Sequence, residues 1–213
     1  MKGLFITFEG GEAAGKTTQF KLLQKYFEEK RLNGVFVHEP GGTVLGERIR
    51  TLLLNDEDVR MSGKAELLLF MASRVELYEK VIKNALKEGK IVIADRYYDS
   101  TVAYQGSARA VMDKDEILSM NKKLLDGLTP DLTFYLKISP EEAFKRKGDS
   151  TLDKMEKESL AFHKKVSEGY DFMAKKEAER FCIIDATQSV EKVHEQILNA
   201  LENLIKKHKE EEQ

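Results

Sequence analysis

One stretch, Gly10-Gly11-Glu12-Ala13-Ala14-Gly15-Lys16-Thr17, constrains this chain more than any other. It fits the pattern G-x-x-x-x-G-K-[ST]. It follows a strand-like apolar run directly and leads into a segment of helical period, the context the pattern requires. Gly10 and Gly15 let the backbone curl so that its N–H groups converge. A helix starting near Lys16 aims the positive end of its dipole at the same point. Such a loop cradles phosphate: Lys16 reaches the β- and γ-phosphates of a nucleotide, and the Thr17 hydroxyl is a ligand for Mg2+. The fingerprint G-x-G-x-x-G fails because Glu12 stands at its second glycine, which disfavours a dinucleotide fold.

The rest of the chain supplies the scaffold that such a loop needs. Short runs rich in β-branched or aromatic residues recur at 4–8, 35–37, 91–94, 132–136 and 181–184. Their hydrophobicity is continuous, which predicts strands buried on both faces of a parallel sheet. Helical period lies between them. Phe20, Leu23, Tyr26 and Phe27 share a face of the first helix, a longer helix is expected over 65–88, and Val193, Ile197, Leu201 and Leu204 line the last. The alternation predicts an α/β doubly wound fold with five strands. The polar stretch 145–165 reads as a lid or a surface helix pair, and 208–213 as a frayed tail. The 35 basic and 37 acidic residues nearly cancel, so a field that would hold a long nucleic acid is absent. The lone Cys182 excludes a disulfide framework and reads as a small buried hydrophobe. No run approaches the ~20 apolar residues of a membrane span, and no signal peptide is legible, so a cytoplasmic location is expected.

A signalling NTPase and a phosphotransferase compete for the loop. The guanine-reading N-K-x-D is missing, as are the protein-kinase strings. A small-molecule kinase needs a second anion site, and the chain offers one. Asp95 and Arg96 end the third apolar run, where ligands of open α/β sheets lie; the Arg96 fork suits phosphate. Glu39-Pro40-Gly41-Gly42-Thr43 makes a glycine turn at the same edge, with Arg48 and Arg50 on the helix behind it. Phe70 and Arg74 share a helix face and suit a stacked, hydrogen-bonded base. Tyr104-Gln105 add a ring and an amide nearby.

Taken in order, the segments Phe8–Thr18, Glu39-Pro40-Gly41-Gly42-Thr43, Leu68–Arg74, Asp95–Gly106 and Thr129-Pro130-Asp131-Leu132-Thr133 resemble bacterial thymidylate kinase (dTMP kinase) from Leu4 to about Ala186. The resemblance implies a P-loop kinase fold: a five-stranded parallel sheet flanked by helices, in one domain spanning 1–213, with a short lid near 141–156. It implies transfer of the γ-phosphoryl of ATP to dTMP, with Mg2+, in a homodimer whose interface is the long helix. ATP would lie on Gly10 to Thr18. Lys16, Thr17 and the metal would hold the donor phosphates, Arg96 the phosphates between donor and acceptor, and Asp95 the metal or its waters. Glu9 would accept from the acceptor's 3′-hydroxyl. Phe70 would stack on thymine and Arg74 would donate to its O4. Gln105 would read the base edge and Tyr104 would pack beneath the deoxyribose. Pro40, Arg50, Thr101 and Tyr170 would complete the acceptor site. The loop lacks arginine, so Arg146 of the lid is the expected catalytic arginine. The chain departs from the family at His38 and Lys154, where arginines are usual. Other nucleoside monophosphate or deoxynucleoside kinases, or a non-catalytic nucleotide-binding regulator, remain the alternatives.

Overall fold

The computed structural model describes residues 3–56, 58–147 and 153–211. Five strands form one parallel sheet: β1 (Leu4–Glu9), β2 (Gly34–His38), β3 (Ile91–Asp95), β4 (Leu132–Lys137) and β5 (Phe181–Asp185), in the order β2-β3-β1-β4-β5. The helices are α1 (Lys16–Lys30), α2 (Val44–Arg50), α3 (Gly63–Leu77), α4 (Lys83–Lys87), α5 (Tyr98–Thr101), α6 (Lys114–Leu124), α7 (Pro140–Lys147), α8 (Leu160–Lys176) and α9 (Val190–Glu211). From β1 the chain moves to one side of the sheet, to β2. From β3 it crosses to the other side, to β4. The crevice between the carboxyl ends of β1 and β3 is therefore the topological switch point where such sheets bind ligands.

Alternation along the central strand sorts the two faces. Ile6 and Phe8 pack with Leu23, Phe27, Ile197 and Leu201 beneath α1 and α9. Phe5 faces the opposite core of Leu67, Met71, Ile82 and Ile117. Thr7 and Glu9 share the period of Phe5, and this face carries a polar layer. Thr7 Oγ1 lies 2.8 Å from Thr133 Oγ1, and Thr133 accepts from Arg180. Arg180 forks onto Asp99 at 2.6 and 2.9 Å and reaches Glu177 at 2.7 Å.

Several expectations need correction. Only the inner strands are buried on both faces; β2 and β5 are sheet edges and half-exposed, so Cys182 is only partly covered. The helix expected over 65–88 is a rod interrupted by a wide π-turn, Tyr78–Ile82, between α3 and α4. The tail expected to fray continues α9 to Glu211. The polar stretch is not all surface, because Met155 is buried with Ile49, Leu54 and Phe162.

Two further wide turns follow α2 (Thr51–Asn55) and α5 (Val102–Ala108). The second is pinned by α8. A Cβ at Gly169 would stand 2.6 Å from the Ala103 Cα, so only glycine permits this approach. Asp99 and Arg180 are both nearly inaccessible, and removing one partner strands a buried charge. Asp99→Ala is expected to lower unfolding free energy by about 3–5 kcal/mol, read by urea denaturation.

Candidate active site

The cleft at the switch point encloses about 830 Å3, within the range of nucleotide-sized sites. The phosphate loop forms one wall. Gly10 takes φ 139°, and a Cβ there would sit 2.5 Å from the Leu136 carbonyl oxygen. Gly15, at φ 87°, starts α1. Glu12, Ala13, Ala14, Gly15, Lys16, Thr17 and Thr18 all line the cleft. Gly10 lies beneath them, and Gly11 faces a smaller adjoining hollow. Lys16 Nζ donates to the Gly10 and Gly11 carbonyls at 3.0 and 2.7 Å. Burial, joined by the nearby Arg96 charge, pulls its ammonium down to about 8.

Arg96 sits just past β3 with φ 74°, a conformation that costs a non-glycine residue energy. Its side chain is directed across to the loop. It donates to Gly10 O at 3.2 Å, Glu12 Oε1 at 2.7 Å, Ser100 Oγ at 3.2 Å, Tyr170 Oη at 3.0 Å and Tyr104 Oη at 3.4 Å. Tyr104 Oη also donates to Glu12 at 2.6 Å. Asp95, next to it, has a buried Oδ1 without a hydrogen-bond partner. That orphaned oxygen and the exposed Thr17 hydroxyl suit a hard divalent cation. No cluster of three or more metal-ligating side chains exists among the described residues, and Mg2+ does not need one, because it keeps waters and takes substrate phosphates as ligands.

Pro40, Arg50, Phe70, Thr101, Tyr104 and Gln105 line the other half of the cleft. Arg50 Nη1 donates to Pro40 O at 2.8 Å. Arg146, on α7, enters from the lid side and donates to Ala186 O at 2.8 Å. Residues 148–152 of the expected lid lie outside the described residues. Sequence reasoning gave no site role to His38, Glu39, Leu54, Ser100, Asp153, Met155 or Glu156, all of which line the cleft. Ser100 and Glu39 were within reach, since they belong to the Asp95–Gly106 and Glu39–Thr43 strings, and Asp153, Met155 and Glu156 fall in the expected lid. His38 and Leu54 flank segments that only the fold brings to the cleft.

Three predicted contact residues stand behind the wall. Glu9 has the period of Phe5 and points under the sheet edge. It accepts from Tyr97 N at 2.7 Å, Ser100 Oγ at 2.7 Å and Tyr170 Oη at 3.0 Å. Of Glu9 and Glu12, the one that lines the cleft is Glu12. Tyr170 is fully buried behind Arg96. Arg74 is 2% exposed. It spends four N–H groups on Glu39 (2.7 Å), Thr101 (2.8 Å), Asn121 (2.8 Å) and the Tyr97 carbonyl (3.2 Å), leaving one of its five donors. Both family departures are also occupied: His38 Nε2 lies 3.0 Å from Glu47, and Lys154 Nζ binds the Leu52 and Val59 carbonyls at 3.3 and 3.0 Å.

Burial and the nearby Asp99 charge push the Glu9 carboxyl from 4.5 up to about 7, against the pull of its hydrogen bonds and of Arg96. The folded state thus holds this proton more tightly than the unfolded chain. The stability it contributes is full below about 4.5 and is lost as pH rises through about 7. Glu9→Gln is therefore expected to gain melting temperature relative to the parent as pH rises from 5 to 8, read by paired thermal melts.

The sequence comparisons agree with this geometry. The family described as Thymidylate kinase matches residues 8–197. The thymidylate kinase of Thermoanaerobacter sp. (strain X514) is 43% identical over 205 residues, covering 96% of this chain and all of the relative. That of Clostridium novyi (strain NT) is 44% identical over 200 residues, covering 92% and 97%. A crystal structure of thymidylate kinase from Ehrlichia chaffeensis superposes with a TM-score of 0.77 at 34% identity, covering 95% of this chain and 99% of that one.

Proposed function

We propose that this chain, which belongs to the thymidylate kinase family, phosphorylates dTMP to dTDP with ATP by direct in-line transfer. The observation that carries the reading is convergence. The phosphate loop, Arg96, Arg146 and the Phe70–Thr101–Gln105 wall, from four separate segments, all line one cleft. The acceptor oxygen of a phosphate monoester is already ionised near neutrality, its second pKa being about 6. No general base is needed, and catalysis reduces to positioning and charge neutralisation.

In this reading Gly10 to Thr18 bind the ATP phosphates, and Lys16 turns a donor from its loop carbonyls toward them. Arg96, fixed by five hydrogen bonds, presents its fork between donor and acceptor. Arg50 holds the acceptor phosphate beside Pro40. Phe70 stacks on the base, and Tyr104 and Thr101 close the sugar side. Arg74 stays behind the wall and acts through Thr101, while Tyr170 and Glu9 act through Ser100 and Arg96. Thr17 and Asp95 would hold Mg2+, which when bound supplies electrostatic stabilisation of the phosphates. Arg146 brings a lid cation to the donor side. Residues 1–213 serve as one domain with a lid near 141–156, and the reaction goes with a cytoplasmic location because ATP is there. No helix among the described residues is long and apolar enough to cross a membrane.

In an ADP-coupled assay dTMP is expected to be preferred over UMP, AMP and thymidine; equal or better turnover of thymidine would overturn the monophosphate acceptor. Arg146→Ala is expected to lower kcat at least ~10²-fold while dTMP still binds. An unchanged kcat would move the lid charge to another residue.

The pairing of two chains is supported by an apolar patch on α2, the wide turn after it and α3: Val44, Leu45, Leu52 and Leu68 are 77%, 48%, 36% and 57% exposed. That concentration of large apolar side chains suits a homodimer face. Sedimentation is expected to give twice the 24.3 kDa chain mass, and Leu68→Glu is expected to shift it toward one.

A further inference from the structure

Gln105 lies within the wide turn after α5, is 2% exposed, and lines the cleft beside Phe70 and Thr101. A side-chain amide recognises an N–H or a lone pair according to which end it presents. Its orientation here is set from behind. Gln105 Nε2 donates to Glu66 Oε1 at 2.9 Å. The same carboxylate accepts Arg109 Nε on Oε1 at 3.0 Å and Arg109 Nη2 on Oε2 at 3.2 Å. Arg109 is braced in turn. Its Nη1 meets Glu158, beyond the lid, at 2.7 Å, and its guanidinium lies 5.0 Å from the Phe162 ring centroid. A carboxylate gripped by a guanidinium fork only accepts hydrogen bonds. It therefore tolerates the NH2 end of Gln105 and excludes the carbonyl end. Gln105 lines the cleft, and with Nε2 held by Glu66 its Oε1, which takes no hydrogen bond from the described residues, is the end left for a ligand.

We propose that Glu66, held by Arg109, is a positioning residue for base specificity. It locks the Gln105 amide so that the cleft presents an acceptor to the base edge. The lock selects a pyrimidine with a hydrogen on N3, the 2,4-dioxo ring. It rejects the 4-amino ring, whose N3 lone pair would face Oε1 with no proton between two acceptors. A site built this way penalises the mismatched edge far more than an apolar wall does, because buried polar groups are left unpaired. The inference rests on the dTMP reading above and adds to it the device that orients the reader.

The test is the ratio of kcat/KM for dTMP to that for dCMP. In Glu66→Gln the new amide both donates and accepts, so Gln105 is free to turn. The ratio is expected to fall at least ~10-fold, with dTMP losing more in KM than in kcat. In a Gln105→Met background the same substitution is expected to leave the ratio unmoved, since Glu66 then has no amide to orient. An unchanged ratio in folded Glu66→Gln, or an equal fall in the Gln105→Met background, overturns the proposal. If Glu66→Gln does not yield a folded protein by thermal melt, Glu66→Met, similar in length and without the carboxylate that holds Gln105 Nε2, releases the same lock and is held to the same ratio. Parent enzyme that ignores dTMP would sink the function reading itself. Parent enzyme that prefers dTMP while the variants keep its ratio sinks only the positioning role.

Discussion

The Arg96 guanidinium is the tie on which the site depends. One side chain joins the phosphate loop through Gly10 and Glu12, α5 and the turn after it through Ser100 and Tyr104, and α8 through Tyr170. Three segments far apart in sequence thereby share one cation. The strained backbone at Arg96 is the cost of directing a residue at the end of β3 back across β1. The surrounding bonds make that conformation the one that satisfies the most groups. A cation so placed is partly buried yet keeps an edge on the cleft. It can exchange a carboxylate partner for phosphate without a large movement.

Beneath this tie runs a second, buried layer. Glu9 fixes Tyr97 N, Ser100 and Tyr170, and Asp99 with Arg180 fixes the floor below. Charge buried at this density is expensive unless every member is paired. The chain pairs them across β1, β4, α5 and the start of β5, so the same bonds that offset desolvation also register the helices against the sheet. Gly169 contributes by absence, letting α8 close on the turn that carries Tyr104 and Gln105.

Much of this was legible in the sequence, for stated reasons. Strand runs at the sheet centre declare themselves because both faces are apolar, and the phosphate loop declares itself because few residues fit its backbone. What was not legible depends on direction. Glu9 and Glu12 are three residues apart and both acidic. The alternation of β1 turns Glu9 under the sheet edge, while the loop, curling after Gly10, turns Glu12 into the cleft. Arg74 and Phe70 share a helix, yet only Phe70 meets the open space, because Glu39, Thr101 and Asn121 draw the guanidinium inward. Spacing places residues on a face; it does not say which partner across the fold will claim them. The wide turns were equally hidden, since an extra residue per turn leaves no mark in composition.

The charge balance of the cleft follows from the same distinction. The chain has nine arginines, and of these Arg50, Arg96 and Arg146 line the cleft, joined by Lys16. Arg74 and Arg180 are spent on buried carboxylates, and Arg109 on Glu66 and Glu158. Against those four cations the lining sets five carboxyl groups: Glu12, Glu39, Asp95, Asp153 and Glu156. The side chains alone therefore supply no net positive charge for two phosphorylated ligands. What makes the cleft attractive to anions is its directed donors: the converging N–H groups of the loop, the dipole at the start of α1, and guanidinium forks whose partners, Glu12 for Arg96 and backbone carbonyls for Arg50 and Arg146, can be displaced. A site that owes its affinity to direction rather than to net charge suits a protein whose total charge is −2. It holds small polyphosphates in one geometry and gives an extended polyanion nothing to follow.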